Sequence, residues 1–332
     1  MDKNILMNTV ARLLESPKGI LAIDESTNTC NSRFEKLGLE QTEEKRREYR
    51  ELLVTAPGVE QYISGYILFD ETIRQSTREG KSFTSIIEEK GLHIGIKADT
   101  GLSDLPGHPG EKITLGIDGL PERLKQYKNM GAVFTKWRAV YTIGENTPSE
   151  ACVMENARNL AEYALLCQMI GLVPIVEPEV LTDGEHTIER CYDVTARNLD
   201  AIFSELQAKE VFIPGVILKT SMVLPGQNSK LEIYEKEIAR LTVKCLKEHT
   251  PEHIGGIVFL SGGMKDEDAT RRLNNMHKMG PLPWPLTFSY GRAIQNPALH
   301  SWAENPADVS TAQKLLVEAA ERNSRASVGK YE

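Results

Sequence analysis

The stretch "GVILKTSMVLPG", residues 215–226, sets Lys219 directly after Val216, Ile217 and Leu218 and just ahead of Met222, Val223 and Leu224. An ammonium in such a run has two readings. It snorkels, burying its stem and carrying its charge to the rim. Or it sits desolvated beside other cations, where the charged form is disfavoured, and a neutral lysine amine attacks carbonyls to form Schiff bases. Other apolar runs also end in ionisable residues. "GILAID" ends in Asp24, and "HIGIKAD" carries Lys97 and Asp99. "FTKWR" carries Lys136 and Arg138, and "PIVEPE" carries Glu177 and Glu179. In the last two the charges stand two apart, so on a strand each pair faces one way. One charge at a strand end is ordinarily a solvated terminus; its recurrence from run to run is the signal.

A second chemistry is anion binding. "FLSGGM" (259–264) and "FSYGRA" (288–293) place glycines where backbone N–H groups can cradle a phosphate, and Arg292 adds a fixed cationic fork. Tight turns would use the same glycines. In "AIDEST", Asp24 is either a catalytic carboxylate or a helix cap, and Ser26 and Thr29 suit a cap or a phosphate oxygen equally. The seven histidines are scattered, with no metal-ligand spacing and no pattern of a serine or cysteine nucleophile.

These residues need elements to position them. Eight short apolar runs recur: 19–24, 63–70, 93–99, 131–137, 171–178, 215–220, 256–262 and 286–291. Each has the length and composition of a strand buried on both faces. Several begin at or beside a glycine, which suits a helix C-cap leading into a strand. Between them, 148–171, 187–210 and 230–250 carry helical spacing. The first should start with Pro148 in its first turn and Ser149 or Thr147 as cap. Eight buried strands alternating with helices predict a (β/α)8 barrel, one domain over residues 1–332 with extra terminal helices. A doubly wound sheet is the alternative, but no G-x-G-x-x-G follows the first strand. "LPGHPG" (105–110) reads as a loop, and the last residues, "ERNSRASVGKYE", as the polar end of a helix. In such a barrel reactive residues stand at the C-terminal ends of strands, and the loops after strands seven and eight hold phosphate.

Bulk composition narrows the field. The chain has 332 residues, 40% hydrophobic and 26% charged, and a formal net charge of -8. That balance gives no support to a nucleic-acid or anionic-membrane partner. Five cysteines without C-x-x-C spacing fit a reduced compartment. The N-terminus lacks the pattern of a signal peptide, and no apolar run reaches membrane-spanning length, so a cytoplasmic location is expected.

Taken together, "GILAIDEST", "GIKAD", "FTKWRAVY", "PIVEPEVLTDG", "VILKTSM", "FLSGGM" and "LTFSYGRA" closely resemble class I fructose-1,6-bisphosphate aldolase, in order from about residue 5 to the end. The resemblance implies a (β/α)8 barrel, usually a homotetramer, cleaving a sugar phosphate in glycolysis and gluconeogenesis without metal or other cofactor. It implies Lys219 as the Schiff-base lysine, Glu177 as acid and base, and Asp24 as acceptor of the C4 hydroxyl proton. Lys136 would position and polarise, and Glu179 would hold the charge network. Ser261, Gly262, Gly263, Ser289, Gly291 and Arg292 match positions around the C1 phosphate, and Arg33 a basic position near the phosphates. Ser26, Thr29, Lys97 and Arg138 match the C6-phosphate side. Three departures stand out. Lys219-Thr220-Ser221-Met222 replaces a frequent Lys-Pro-Asn-Met, and Ser32 replaces a lysine common before Arg33. Tyr331 falls where a mobile tail would begin in many animal members, so the role of their tail tyrosine is not expected of it. Another lysine-dependent lyase, a transaldolase or decarboxylase, and a silent barrel acting as a scaffold are the alternatives. A substrate with two phosphates and the intact Lys219, Glu177 and Asp24 argue against them.

Overall fold

In the computed structural model, which describes residues 1–230 and 233–332, each of the eight apolar runs forms a strand of one closed parallel barrel. Among the described residues the strands are β1 (Gly19–Ile23), β2 (Ile63–Leu68), β3 (His93–Lys97), β4 (Gly101–Asp104), β5 (Lys112–Leu115), β6 (Ala132–Tyr141), β7 (Val173–Val180), β8 (Ile217–Thr220), β9 (Gly256–Phe259) and β10 (Leu286–Tyr290). The barrel runs β1-β10-β9-β8-β7-β6-β3-β2, and β4 and β5 form a separate antiparallel hairpin. The loop expected at 105–110 is the tip of that hairpin. The fourth run extends well past Trp137, because β6 and β7 stay paired from Phe134↔Val173 to Tyr141↔Val180.

The helices are α1 (Lys3–Leu13), α2 (Thr27–Glu35), α3 (Glu43–Thr55), α4 (Asp70–Ile73), α5 (Phe83–Glu89), α6 (Leu120–Asn129), α7 (Glu150–Ile170), α8 (Ile188–Ala208), α9 (Glu235–His249), α10 (Asp266–His277), α11 (Arg292–Glu304) and α12 (Val309–Ala326). Pro148 does not enter α7: the Ser149 hydroxyl accepts from the Cys152 N–H and caps the helix one residue after it. The helix expected over 230–250 is realised from Glu235, and residues 231 and 232 lie outside the described residues. Among the described residues no helix is long and apolar enough to cross a membrane.

The glycines ahead of the strands serve two purposes. Gly171 ends α7 with φ 81°, the left-handed cap that the sequence suggests. Gly256 is needed for space, since a Cβ there would fall 2.2 Å from Leu14 Cδ1.

Side-chain parity then decides what faces the barrel axis. Ile20, Ala22, Ile67, Phe134, Val173, Ile175, Ile217 and Val258 form one interior apolar cluster, closed at the bottom by Leu6, Val10 and Leu13 of α1. Burying each of those α1 side chains stabilises the closure by roughly 1.5–3 kcal/mol. Stepping two residues up from the interior layer reaches Asp24 after Ala22, Lys136 after Phe134, Glu177 after Ile175 and Lys219 after Ile217. The alternation that fills the bottom of the barrel with hydrocarbon therefore lines its top with charge.

Candidate active site

Four charges meet at the top of the interior layer. Lys136 Nζ lies 2.7 Å from Asp24 Oδ2 and 3.0 Å from Glu177 Oε2, and Lys219 Nζ lies 3.2 Å from Glu177 Oε1. Their exposures are 8% for Asp24, 4% for Lys136, 3% for Glu177 and 3% for Lys219. The signs alternate along the row, so each charge is neutralised by a neighbour. Burial works against the carboxylate of Asp24, yet Lys136, Lys219 and Lys97 outweigh it and hold Asp24 down at about 2. For Glu177 too, burial pushes up, Lys136 and Lys219 push down more, and the net direction is down. Burial also opposes the Lys136 ammonium, but Asp24 and Glu177 overcome it and hold that group above the ordinary lysine value. Both carboxylates are therefore ionised and able to accept protons, with a firmly charged ammonium between them.

The second charge pair follows the first. Arg138 bonds Glu179 through Nε, repeating across β6 and β7 the pairing that Lys136 makes with Glu177. Lys97 bonds the Asp99 carboxylate and, at 3.1 Å, the Asp99 carbonyl. Asp24 is not the cap of the following helix. That task falls to Ser26, whose hydroxyl accepts from Thr29 N–H at 3.4 Å and meets Thr29 Oγ1 at 3.1 Å.

All of these surround a cavity of about 1360 Å³. Asp24, Ser26, Thr29, Arg33, Lys97, Lys136, Arg138, Glu177, Glu179, Lys219, Ser261, Gly262, Ser289, Gly291 and Arg292 line it. Gly263 does not belong to this lining; its φ is 73°, and a Cβ on it would sit 2.1 Å from Thr182 Oγ1. Gly262 lies close to Glu179 and Arg292, with space for a Cβ only 2.8 Å from Glu179 Oε1 and 3.2 Å from Arg292 Nη2. The Ser289 hydroxyl is buried and, among the described residues, has no hydrogen-bond partner. Ser261 Oγ accepts from Ala293 N–H at 3.4 Å, joining the loop after β9 to the first turn of α11. That turn presents Gly291 and the exposed Arg292 to the cavity at a helix N-terminus, where backbone N–H groups and the dipole favour an anion.

Arg33 touches the cavity but its guanidinium is already engaged, with Glu25, with Gln295 Oε1 at 3.0 Å and with Asn296 Oδ1 at 3.1 Å. Glu25 also takes Arg50, at 2.9 Å. Against its burial, Arg50 and Arg33 keep the Glu25 carboxylate below its ordinary value. Glu25, Arg50 and Gln295 form a supporting network that sequence reasoning missed. One signal existed: Arg46 and Arg50 stand four apart in "KRREYRELL", on the face that buries Leu53. Arg74 and Arg123 also line the cavity, and nothing in their local sequence marks them. Tyr331 lies elsewhere, its backbone N–H and C=O both bonded to the Asn274 side chain at 3.0 and 2.9 Å.

A buried amine beside a carboxylate, with Ser289, Arg292 and a helix N-terminus on one wall, suits chemistry on a phosphorylated carbonyl compound. Comparison with known proteins points the same way. The family model of fructose-bisphosphate aldolase class-I matches residues 5–332. A relative from Xanthomonas campestris pv. campestris, named probable fructose-bisphosphate aldolase class 1, is 50% identical over 327 residues, covering 98% of each chain. The Arabidopsis thaliana protein named fructose-bisphosphate aldolase 4, cytosolic, is 48% identical over 95% of this chain and 80% of its own. A solved fructose-bisphosphate aldolase from Plasmodium falciparum, in complex with TRAP and a small-molecule inhibitor, superposes with a TM-score of 0.98 at 42% identity, covering 100% of this chain and 97% of that one. The chain belongs to the class-I fructose-bisphosphate aldolase family.

Proposed function

We propose that this chain cleaves fructose 1,6-bisphosphate reversibly into dihydroxyacetone phosphate and glyceraldehyde 3-phosphate through a Schiff base on Lys219. The observation that carries the reading is the Lys219–Glu177 contact of 3.2 Å, buried at the floor of the cavity. Lys219 gives a proton to Glu177, the acceptor in reach, and its amine adds to the C2 ketone. Glu177 returns a proton to the carbinolamine hydroxyl, which leaves as water, and the iminium remains. Asp24 then takes the proton of the C4 hydroxyl. The C3–C4 bond breaks, its electron pair passes into the iminium to give the enamine, and glyceraldehyde 3-phosphate departs. Protonation at C3 and hydrolysis of the iminium release dihydroxyacetone phosphate and restore the amine.

Lys136 stands between Asp24 and Glu177 and keeps both carboxylates placed while its ammonium polarises substrate oxygens. Glu179 balances Arg138 above them. Ser261, Gly262, Ser289, Gly291 and Arg292 form the C1-phosphate side, with the free Ser289 hydroxyl as one donor. Gly263 supports that loop from behind. Ser26, Thr29, Lys97 and Arg138 form the C6 side, and Arg33 contributes from its network.

Borohydride reduction in the presence of dihydroxyacetone phosphate, followed by peptide mapping, tests the assignment. Label on Lys219 is expected, and label on another lysine would refute it. The family resemblance also supports a cytoplasmic homotetramer with residues 1–332 folding as one barrel unit. A sedimenting mass equal to a single chain, or two separate unfolding transitions, would count against those parts.

A further inference from the structure

Resting on the Lys219 reading above, we infer that Ser221 is a positioning residue for the imine-forming step, acting by fixing the tip of β8 against the tip of β7. Backbone pairing between these strands covers Ile175↔Ile217 and Val176↔Leu218. Past that point they follow different partners. β7 remains registered on β6 as far as Val180, and β8 remains registered on β9 through Lys219 and Thr220. Glu177 and Lys219 are the first residues beyond the last shared pair. Their 3.2 Å contact thus spans two strands with no backbone pair between them at that level.

Ser221 supplies a bond across the gap. Its hydroxyl accepts from Val180 N–H at 3.1 Å and donates to Val180 C=O at 3.1 Å. One hydroxyl has the donor and the lone pairs to do both. Both residues are buried, so water does not substitute for it. The Thr220 hydroxyl, by contrast, stays with its own chain, donating to Ser221 C=O at 3.3 Å. Further out, Gln227 N–H reaches Thr182 C=O at 2.7 Å and Gly226 N–H reaches His186 C=O at 2.9 Å. Those ties hold the ends of the loops, whereas Ser221 sits two residues from Lys219 and its partner Val180 three residues from Glu177. Without the hydroxyl, the Val180 N–H and C=O lose a buried partner and the two strand tips are free to part. The consequence falls on proton exchange between Lys219 and Glu177, because that step depends on their separation. Substrate binding depends on other loops.

The test compares Ser221→Ala and Ser221→Thr with the parent in steady-state cleavage and in the rate of borohydride trapping with dihydroxyacetone phosphate. Ser221→Ala should lower kcat and the trapping rate together by about tenfold or more, with KM within about twofold, since small misplacements of reacting groups are this costly. The acid limb of its kcat profile should move, because Glu177 has lost its fixed distance from Lys219. Ser221→Thr keeps the hydroxyl and should recover kcat to within about threefold of the parent. If Ser221→Ala does not fold, Ser221→Cys serves in its place, its weaker hydrogen bonds lowering kcat without raising KM. A folded Ala or Cys variant with parental kcat and pH profile overturns the inference, even if it melts earlier, and so does a defect confined to KM. Borohydride label found away from Lys219 in the parent sinks the underlying reading. Label on Lys219 together with parental kcat in Ser221→Ala sinks the Ser221 role alone.

Discussion

Taking an ammonium and a carboxylate out of water costs several kcal/mol each, which pairing offsets incompletely. The row Asp24–Lys136–Glu177–Lys219 is therefore a poor way to stabilise a barrel and a good way to hold reactive groups ready. Lys219→Met keeps length and apolar character, and the variant should fold, lose cleavage and lose borohydride labelling. Lys219→Arg should fail as well, since guanidinium stays protonated and cannot form an imine. Triose phosphate release near the parental rate from either variant would remove Lys219 from its role. Arg292→Ala should weaken binding of the bisphosphate by about 1.5–3 kcal/mol, read by calorimetric titration, through loss of a charge-assisted contact. Unchanged affinity would take Arg292 out of the site. The row itself was legible in the sequence, because alternation along buried strands puts Lys136 with Arg138 and Glu177 with Glu179 on one side. The commitments of Arg33 were not. Its partner Gln295 lies 262 residues away, and no local pattern announces such a meeting.

At the scale of elements, the loop after β9 is set by what stands behind it. Gly263 has φ 73°, and a Cβ there would press on Thr182 Oγ1 at 2.1 Å. Gly263→Ala should destabilise the fold by at least about 1–2 kcal/mol from the left-handed backbone alone. It should also raise KM by displacing Ser261 and Gly262. Urea unfolding superimposable on the parent's would show that the loop is not clamped there. The eight barrel strands were readable because burial on both faces makes each a continuous apolar run. The β4–β5 hairpin was not, since Leu102 and Leu115 are exposed and its strands are four residues each. The glycines were half readable. Periodicity reveals a helix end such as Gly171, but not the approach of Leu14 to Gly256 from another element.

For the whole molecule, the buried carboxylates should govern acid stability. Asp24 is held at about 2, below its unfolded value, so it contributes stability that is present above the ordinary carboxylate range and is lost as pH falls through that of the folded protein. This pH-dependent part, ionised against protonated Asp24, is on the order of 2 kcal/mol and is separate from the net cost of burying the row. Glu177 shifts in the same direction and adds to the same limb. Asp24→Asn should flatten the fall in unfolding free energy between the ordinary carboxylate value of 3.8 and about 2. A variant as acid-sensitive as the parent would show that the row does not carry this dependence. Cleavage should also persist in excess EDTA, because imine formation and C3–C4 cleavage as assigned above run on Lys219, Glu177 and Asp24. Abolition by EDTA with recovery on adding zinc would contradict the mechanism.

The barrel is closed by its first and last strands. Ile20 pairs with Ser289, and the Lys18 carbonyl accepts from Thr287 Oγ1 at 2.9 Å across 269 residues. During synthesis β1 therefore has one open edge until β10, more than 260 residues later, has left the ribosome. At roughly 5–20 residues per second that wait lasts on the order of tens of seconds. An unpaired edge rich in Ile and Leu is a template for association with other chains. Asp24 follows β1 while Ser289 comes from β10 and Arg292 from the start of α11, so the Asp24 carboxylate and the Ser289–Arg292 wall of the cavity meet only when this seam closes. Nascent chains stalled before residue 286 should bind holdase chaperones and carry no cleavage activity, and release of the last strand should confer solubility and catalysis in one step.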